Sequence, residues 1–225
     1  MIFPSLDRVK AIAPGYDIVP VYMEILSDVR TPISVLKALK QVSSHTYLLE
    51  SADNSNHWGR YSFLGYDPKI ELFCKNHKMT IKDGTTRTFE CSDPAAEIRN
   101  ILSQYKSPRL EELPTFTGGF VGYFACEYIR YIEPTLDFPT PDDDSAMVND
   151  VDLMLFDKVI AFDHYKNKIY LIANISTNDL ERNYNKAELE LKVLADLVVN
   201  GKEADIPKGI LKTEFTSEFT KDEFE

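Results

Sequence analysis

Between Thr46 and Glu90 the chain presents five short segments of strand character in close succession: Thr46 to Glu50, Arg60 to Gly65, Lys69 to Lys75, His77 to Lys82 and Thr85 to Glu90. Strands grouped in this way do not fit a regular alternation of strand and crossover helix. Asp83-Gly84 between the last two reads as a two-residue hairpin turn, whose central positions both need positive φ. The group is therefore expected to form an antiparallel meander.

The flanking segments complete the pattern. From Ile18 to Leu26, Val19, Val21, Met23 and Ile25 alternate with Pro20, Tyr22 and Glu24, the period of a half-buried strand, and Pro20 places that strand near a sheet edge. Thr31-Pro32 supplies an N-cap and a first-turn proline for a helix predicted to turn Ile33, Leu36, Leu39 and Val42 inward. Asp93-Pro94 starts another, with Ile98, Ile101, Leu102 and Tyr105 inward. A third runs from Asp179 to about Val199, carrying Leu180, Tyr184, Leu191, Leu194 and Val198 inward, a Glu188-Lys192 pair outside and Gly201 as its stop.

Gly118 to Ala125 alternates small and large residues, as a strand does where glycines admit another backbone or a ligand. Val151 to Phe162 and Lys168 to Asn174 read as two strands joined around His164 to Asn167, and Pro134 to Asp144 as a surface loop. Three helices against grouped strands predict an α+β fold: antiparallel β-sheets, sandwich-like, with helices on the outer faces, in a single domain over residues 1 to 225. In Phe219 to Glu225 a capping box (Thr220, Glu223) and a staple (Phe219, Phe224) announce a helix, so the chain is expected to continue.

Several functions are disfavoured by composition. A formal net charge of -11 over 225 residues repels the phosphates of nucleic acid and of anionic membranes. Neither a signal peptide nor an apolar run of membrane-spanning length is visible. Cys74, Cys91 and Cys126 are odd in number and form no C-x-x-C pair, and His45, His57, His77 and His164 lack helical i, i+4 spacing. No metal site is expected within the segment, and reduced thiols suit a cytoplasmic protein. Gly118-Gly119-x-x-Gly122 lacks the ending of a phosphate loop, no nucleophile elbow is present, and Asp163-His164 reads as a hairpin corner.

Thr46 to Ser51, shortly before Trp58 to Gly65, sets Glu50 and Ser51 where an apolar strand meets a loop. An amino acid could bind there, its ammonium on the carboxylate and its carboxylate on donors. On the plainer reading Glu50 ends a strand, Ser51 starts a turn and Arg60 pairs with a surface acid.

Four segments go further. LLES at Leu48 to Ser51, WGRYSFLGYDP at Trp58 to Pro68, TGGFVGYFACEYIRYIE at Thr117 to Glu133 and FDHYKNKIYLI at Phe162 to Ile172 together resemble the large subunit of anthranilate synthase, in order and over nearly the whole chain. Ala125-Cys126-Glu127-Tyr128 departs from the Gly-Tyr-Asp of many relatives.

The resemblance implies a parent enzyme that makes anthranilate and pyruvate from chorismate and ammonia with Mg²⁺. A glutamine amidotransferase subunit supplies the ammonia, and tryptophan inhibits by feedback at a separate, allosteric site. The chemical groups and the metal belong to a catalytic half absent here, so no catalytic residue is assigned and this segment alone is expected to be inactive. By the same resemblance Leu49, Glu50 and Ser51 form part of the tryptophan pocket, with Arg60, Tyr61 and Ser62 beside them. The alternatives are the related synthase that makes aminodeoxychorismate and a stand-alone amino-acid-binding module.

Overall fold

The structure, a computed structural model, describes residues 1–28, 30–50, 59–133, 135, 148–204, 209–210, 212–213, 217 and 220–224. The expected α+β class is what these residues adopt. One five-stranded antiparallel sheet has the order β1 (Ile18–Leu26), β10 (Lys168–Ser176), β9 (Lys158–Asp163), β3 (Tyr61–Tyr66), β2 (Thr46–Leu49). The other has the order β6 (Thr86–Glu90), β5 (Lys78–Lys82), β4 (Ile70–Lys75), β8 (Val151–Phe156), β7 (Gly119–Phe124). Pro20 lies on an edge strand, where its missing N–H costs the ladder nothing.

Helices α1 (Leu6–Ile12), α2 (Pro32–Leu39) and α5 (Leu180–Asn200) cover one face of the first sheet. Val9, Val35, Leu39, Leu191, Leu194 and Val198 pack there against Val19, Val21, Leu64, Ile160 and Phe162. Each fully buried aliphatic or aromatic side chain contributes about 1.5–3 kcal/mol by leaving water. The opposite face is roofed by the connector before β7, through Leu110, Leu113 and Phe116 over Tyr22, Val159, Tyr170 and Ile172. The second sheet has a separate cluster in which Ile98 and Ile101 of α3 (Pro94–Leu102) meet Leu72, Cys74, Met79, Val151 and Leu153. A 3-10 helix at Cys126–Tyr128 runs into α4 (Ile129–Ile132), and α6 spans Lys221–Phe224.

Local signals held where they were local. Thr31 Oγ1 accepts from Ser34 N at 3.2 Å and Asp93 Oδ1 from Ala96 N at 3.0 Å, capping α2 and α3. Lys192 reaches Glu188 at 3.0 Å on the outside of α5. A Cβ on Gly122 would overlap the Asp152 carbonyl, so that glycine serves close backbone approach, as its segment suggested.

Five expectations are corrected. The inward face of α2 is Val35, Ala38 and Leu39, while Ile33 (54% exposed) points outward, because the rotation of a short helix is set by what it packs on, and Val42 (57% exposed) lies past the end of the helix. Leu102 of α3 is likewise exposed. The five grouped strands are not one meander: β2 and β3 pair in the first sheet and β4, β5 and β6 in the second. The chain changes sheet at Asp67-Pro68, with Asp67 at φ 52°. The segment from Val151 to Phe162 is two strands, crossing between the sheets at Asp157. Finally, Asp83-Gly84 belongs to a three-residue loop closed by Asp83 N to Thr85 O, and the paired positive φ values occur at Asn76 (47°) and His77 (61°) between β4 and β5. The expected loop from Pro134 to Asp144, apart from Thr135, and the staple residue Phe219 lie outside the described residues.

Candidate functional site

The antiparallel register brings three strand ends together. Leu49 closes β2 opposite Phe63, while at the start of β3 Tyr61 faces Asp163 and Ser62 faces Phe162 of β9. Leu49 (47% exposed) and Glu50 are therefore delivered beside Arg60, Tyr61 and Ser62 at one end of the first sheet. Alternation along β2 and β3 puts Glu50 and Ser62 on the side of Leu48 and Leu64, which pack under the helices.

Ser62 is 1% exposed, and its Oγ lies 2.7 Å from His164 Nε2 and 3.4 Å from Glu50 Oε1. His164, the residue after β9, is tied by its backbone N–H to Arg60 O at 2.9 Å, and its ring lies 6.4 Å from that of Phe162 at 24°.

Behind this cluster Arg60 grips Asp163 with both prongs of its guanidinium: Nε donates to Oδ1 at 3.0 Å and Nη2 to Oδ2 at 2.7 Å. Asp163 is fully buried and also accepts from the backbone N–H groups of Tyr165 (3.1 Å) and Lys166 (3.0 Å). Burial by itself would raise the Asp163 carboxyl. The hydrogen bonds from Arg60 and the turn, with the guanidinium charge, outweigh it and hold the group below the ordinary carboxylate range. Stacking of Arg60 on Tyr61 (4.8 Å) and Tyr165 (5.6 Å) orients the guanidinium further.

The arrangement can offer a carboxylate and an imidazole to a polar ligand, with the buried Ser62 hydroxyl bonded between them. It is no hydrolytic triad, since both oxygens of Asp163 are taken by Arg60 and the turn, and the serine is buried. Among the described residues no group of three or more His, Cys, Asp or Glu could hold a metal ion. Among them, too, no helix is long and apolar enough to cross a membrane. Two hollows, of about 100 and 160 Å³, meet at Asp157 and Asn174, where the chain changes sheet, and neither includes Glu50 or Ser62.

No family model matches the sequence. It is, however, 36% identical over 197 residues to anthranilate synthase component 1 of Acetivibrio thermocellus, covering 86% of this chain and 39% of that one. The corresponding protein of Acinetobacter calcoaceticus is 39% identical over 189 residues (82% and 37%), and that of Aquifex aeolicus 32% over 229 residues (98% and 45%). The chain is homologous to anthranilate synthase component 1.

It spans less than half the length of these anthranilate synthase relatives. A solved anthranilate synthase component I from Streptococcus pneumoniae TIGR4 aligns over 75% of this chain and 36% of its own at 26% identity, with a TM-score of 0.45. Of the six residues singled out through the anthranilate synthase resemblance, Leu49, Glu50, Arg60, Tyr61 and Ser62 gather at the strand ends, and Ser51 lies outside the described residues. Asp163 and His164 were missed as site residues. They stand more than a hundred positions from Arg60 and Ser62, and nothing in their local pattern distinguishes them from an ordinary hairpin corner. Arg60 does pair with an acid, but with a buried one.

Proposed function

We propose that this chain is the regulatory portion, one domain over residues 1 to 225, of an anthranilate synthase component 1. In the complete cytoplasmic enzyme a catalytic half, with Mg²⁺, converts chorismate and ammonia to anthranilate and pyruvate. A glutamine amidotransferase subunit supplies the ammonia. The present segment alone turns over no chorismate and contributes part of the pocket through which tryptophan inhibits. Identity of 32–39% over 82–98% of this chain to relatives of that name supports the family assignment. The observation that carries the regulatory reading is the gathering of Leu49 and Glu50 with Arg60, Tyr61 and Ser62 at one end of the first sheet.

In this reading Glu50 receives the ligand ammonium, Ser51 provides a hydroxyl contact and Leu49 flanks the apolar part. Ser62 stands behind Glu50 on the helix-covered side, while Tyr61 lies on the other face of the same strand end against Phe63, and the Arg60–Asp163 pair fixes that end. A hydrogen bond to a charged group contributes about 1.5–3 kcal/mol, so loss of one weakens inhibition about 10- to 100-fold. The test is a tryptophan titration of anthranilate formation by a full-length component 1 carrying this sequence, in wild type, Glu50→Gln and Ser51→Ala. At least one curve is expected to move to higher tryptophan. Superimposable curves in all three proteins would remove the assignment.

A further inference from the structure

Ser62 has one hydroxyl hydrogen, and among the described residues two acceptors lie within its reach, Glu50 Oε1 at 3.4 Å and His164 Nε2 at 2.7 Å. If Nε2 carries no hydrogen, the Ser62 proton is drawn to the shorter partner and Glu50 loses this donor. When Nε2 carries the hydrogen, the imidazole donates to Ser62 Oγ and the Ser62 hydrogen passes on to Glu50, so both contacts are made at once. Ser62 is nearly sealed from water, which leaves few other partners for its hydroxyl.

From this we infer that His164 is a positioning residue for the inhibitor site: it donates to Ser62 through Nε2, and Ser62 in turn orients the Glu50 carboxylate that receives an α-ammonium group. The inference rests on the regulatory reading of Glu50. His164 itself is held from two sides. Its backbone is bonded to Arg60 O at 2.9 Å, and its ring lies against Phe162, whose side chain belongs to the helix-covered core. His164 is exposed like Glu50, but its backbone bond and ring contact fix the base of the chain, while Glu50 at its tip lies on a strand end and would otherwise sample several rotamers. Holding a carboxylate in its binding geometry before the ligand arrives removes an ordering cost from binding.

Packing and hydrogen bonding by His164 make opposite forecasts for two substitutions. His164→Phe keeps a ring against Phe162 and has no donor; His164→Gln gives up the ring and places an amide N–H₂ close to where Nε2 stood. The experiment is calorimetric tryptophan binding to the full-length component 1 carrying this sequence, with thermal melting of each variant to verify folding. His164→Phe should bind tryptophan about tenfold more weakly than wild type, the loss of one positioning hydrogen bond. His164→Gln should stay within about threefold of wild type. Ser62→Ala should match His164→Phe, and the double variant should be no worse than either single one, because both break the same chain. Any result in which Gln binds no better than Phe overturns the inference. Glu50→Gln, measured in parallel, separates the two levels. If it weakens binding while the His164 pair does not differ, the positioning role fails and the site stands. Where Glu50→Gln binds like wild type, the site reading itself has failed and the inference falls with it.

Discussion

Two buried aspartates, one in each sheet, solve the same problem in different ways. Asp163 of the first sheet is fully buried and answers its charge with a charge, the two-pronged contact from Arg60, plus two backbone N–H groups. Asp150, just before β8 of the second sheet, is 7% exposed and among the described residues takes neutral donors instead: Asn76 N at 2.8 Å and the Tyr131 hydroxyl at 2.8 Å. Tyr131 also accepts from His77 N at 2.9 Å, and its ring lies 4.6 Å from that of His77. Asp150 and Tyr131 therefore clamp the two residues of positive φ in the β4–β5 turn. The first network joins distant strands behind the candidate site, and the second stabilises a local turn far from it. A charged pair in a buried place binds segments firmly only while both partners are present, and that asymmetry is testable.

The largest effect should come from Arg60→Met. Removing the guanidinium leaves Asp163 buried without its counter-charge; breaking a fully buried pair costs about 3–5 kcal/mol, and because the Arg60 end is partly exposed the loss here is expected near the lower end, about 3 kcal/mol. Urea unfolding should show a large fall in midpoint. A loss no greater than that of an exposed pair would mean that Asp163 finds water or another donor, and the contrast with Asp150 would collapse.

Acid sharpens the same point. The folded-state pKa of Asp163 is depressed, so its contribution is fully present above the unfolded pKa and is lost as pH falls through the folded value, below the ordinary carboxylate range. In Arg60→Met the carboxyl is buried without its charge partner, and protonation relieves it. Unfolding measured from neutral to acid pH should therefore show the gap between wild type and variant narrowing on acidification. A constant gap would show that the pair's charge is not what stabilises it.

Tyr131→Phe should cost less, about 1–3 kcal/mol, since it removes one hydroxyl from a neutral network and leaves Asp150 with Asn76 N. Amide exchange at His77, whose N–H loses its acceptor, should accelerate. If Tyr131→Phe proves as damaging as Arg60→Met, the distinction between charged and neutral networks fails.

The smallest change is expected for Glu188→Ala on α5, about 0.3–0.5 kcal/mol, because its partner Lys192 is solvated and their ion pair is a surface i, i+4 contact. Its loss should also shrink at high salt, whereas that of Arg60→Met should change little.

Features governed by neighbouring residues were legible in the chain. Thr31 and Asp93 cap their helices because an oxygen three positions before an unpaired N–H has few other places to go. The stripe Tyr184, Leu191, Leu194 and Val198 is buried as its period implies, and Pro20 sits on an edge because it has no N–H for a second neighbour. Glu50 and Ser62 could be singled out by motif. The donor between them could not, since His164 is 102 residues from Ser62 and meets it only when β3 pairs with β9.

The sequence by itself thus determined the α+β class, the caps and the edge strand, which depend on spacings of a few residues, while the segment that holds the candidate site was reached through its resemblance to a known family. Tertiary structure decided which sheet each strand joined, the break of one apolar run at Asp157, the face of α2 that was buried, and the pairing of Arg60 with Asp163. Those outcomes depend on contacts between segments far apart in the chain. An apolar run can satisfy its own pattern in either sheet, and a lone aspartate acquires an arginine only after the register of β3 on β9 has placed them side by side.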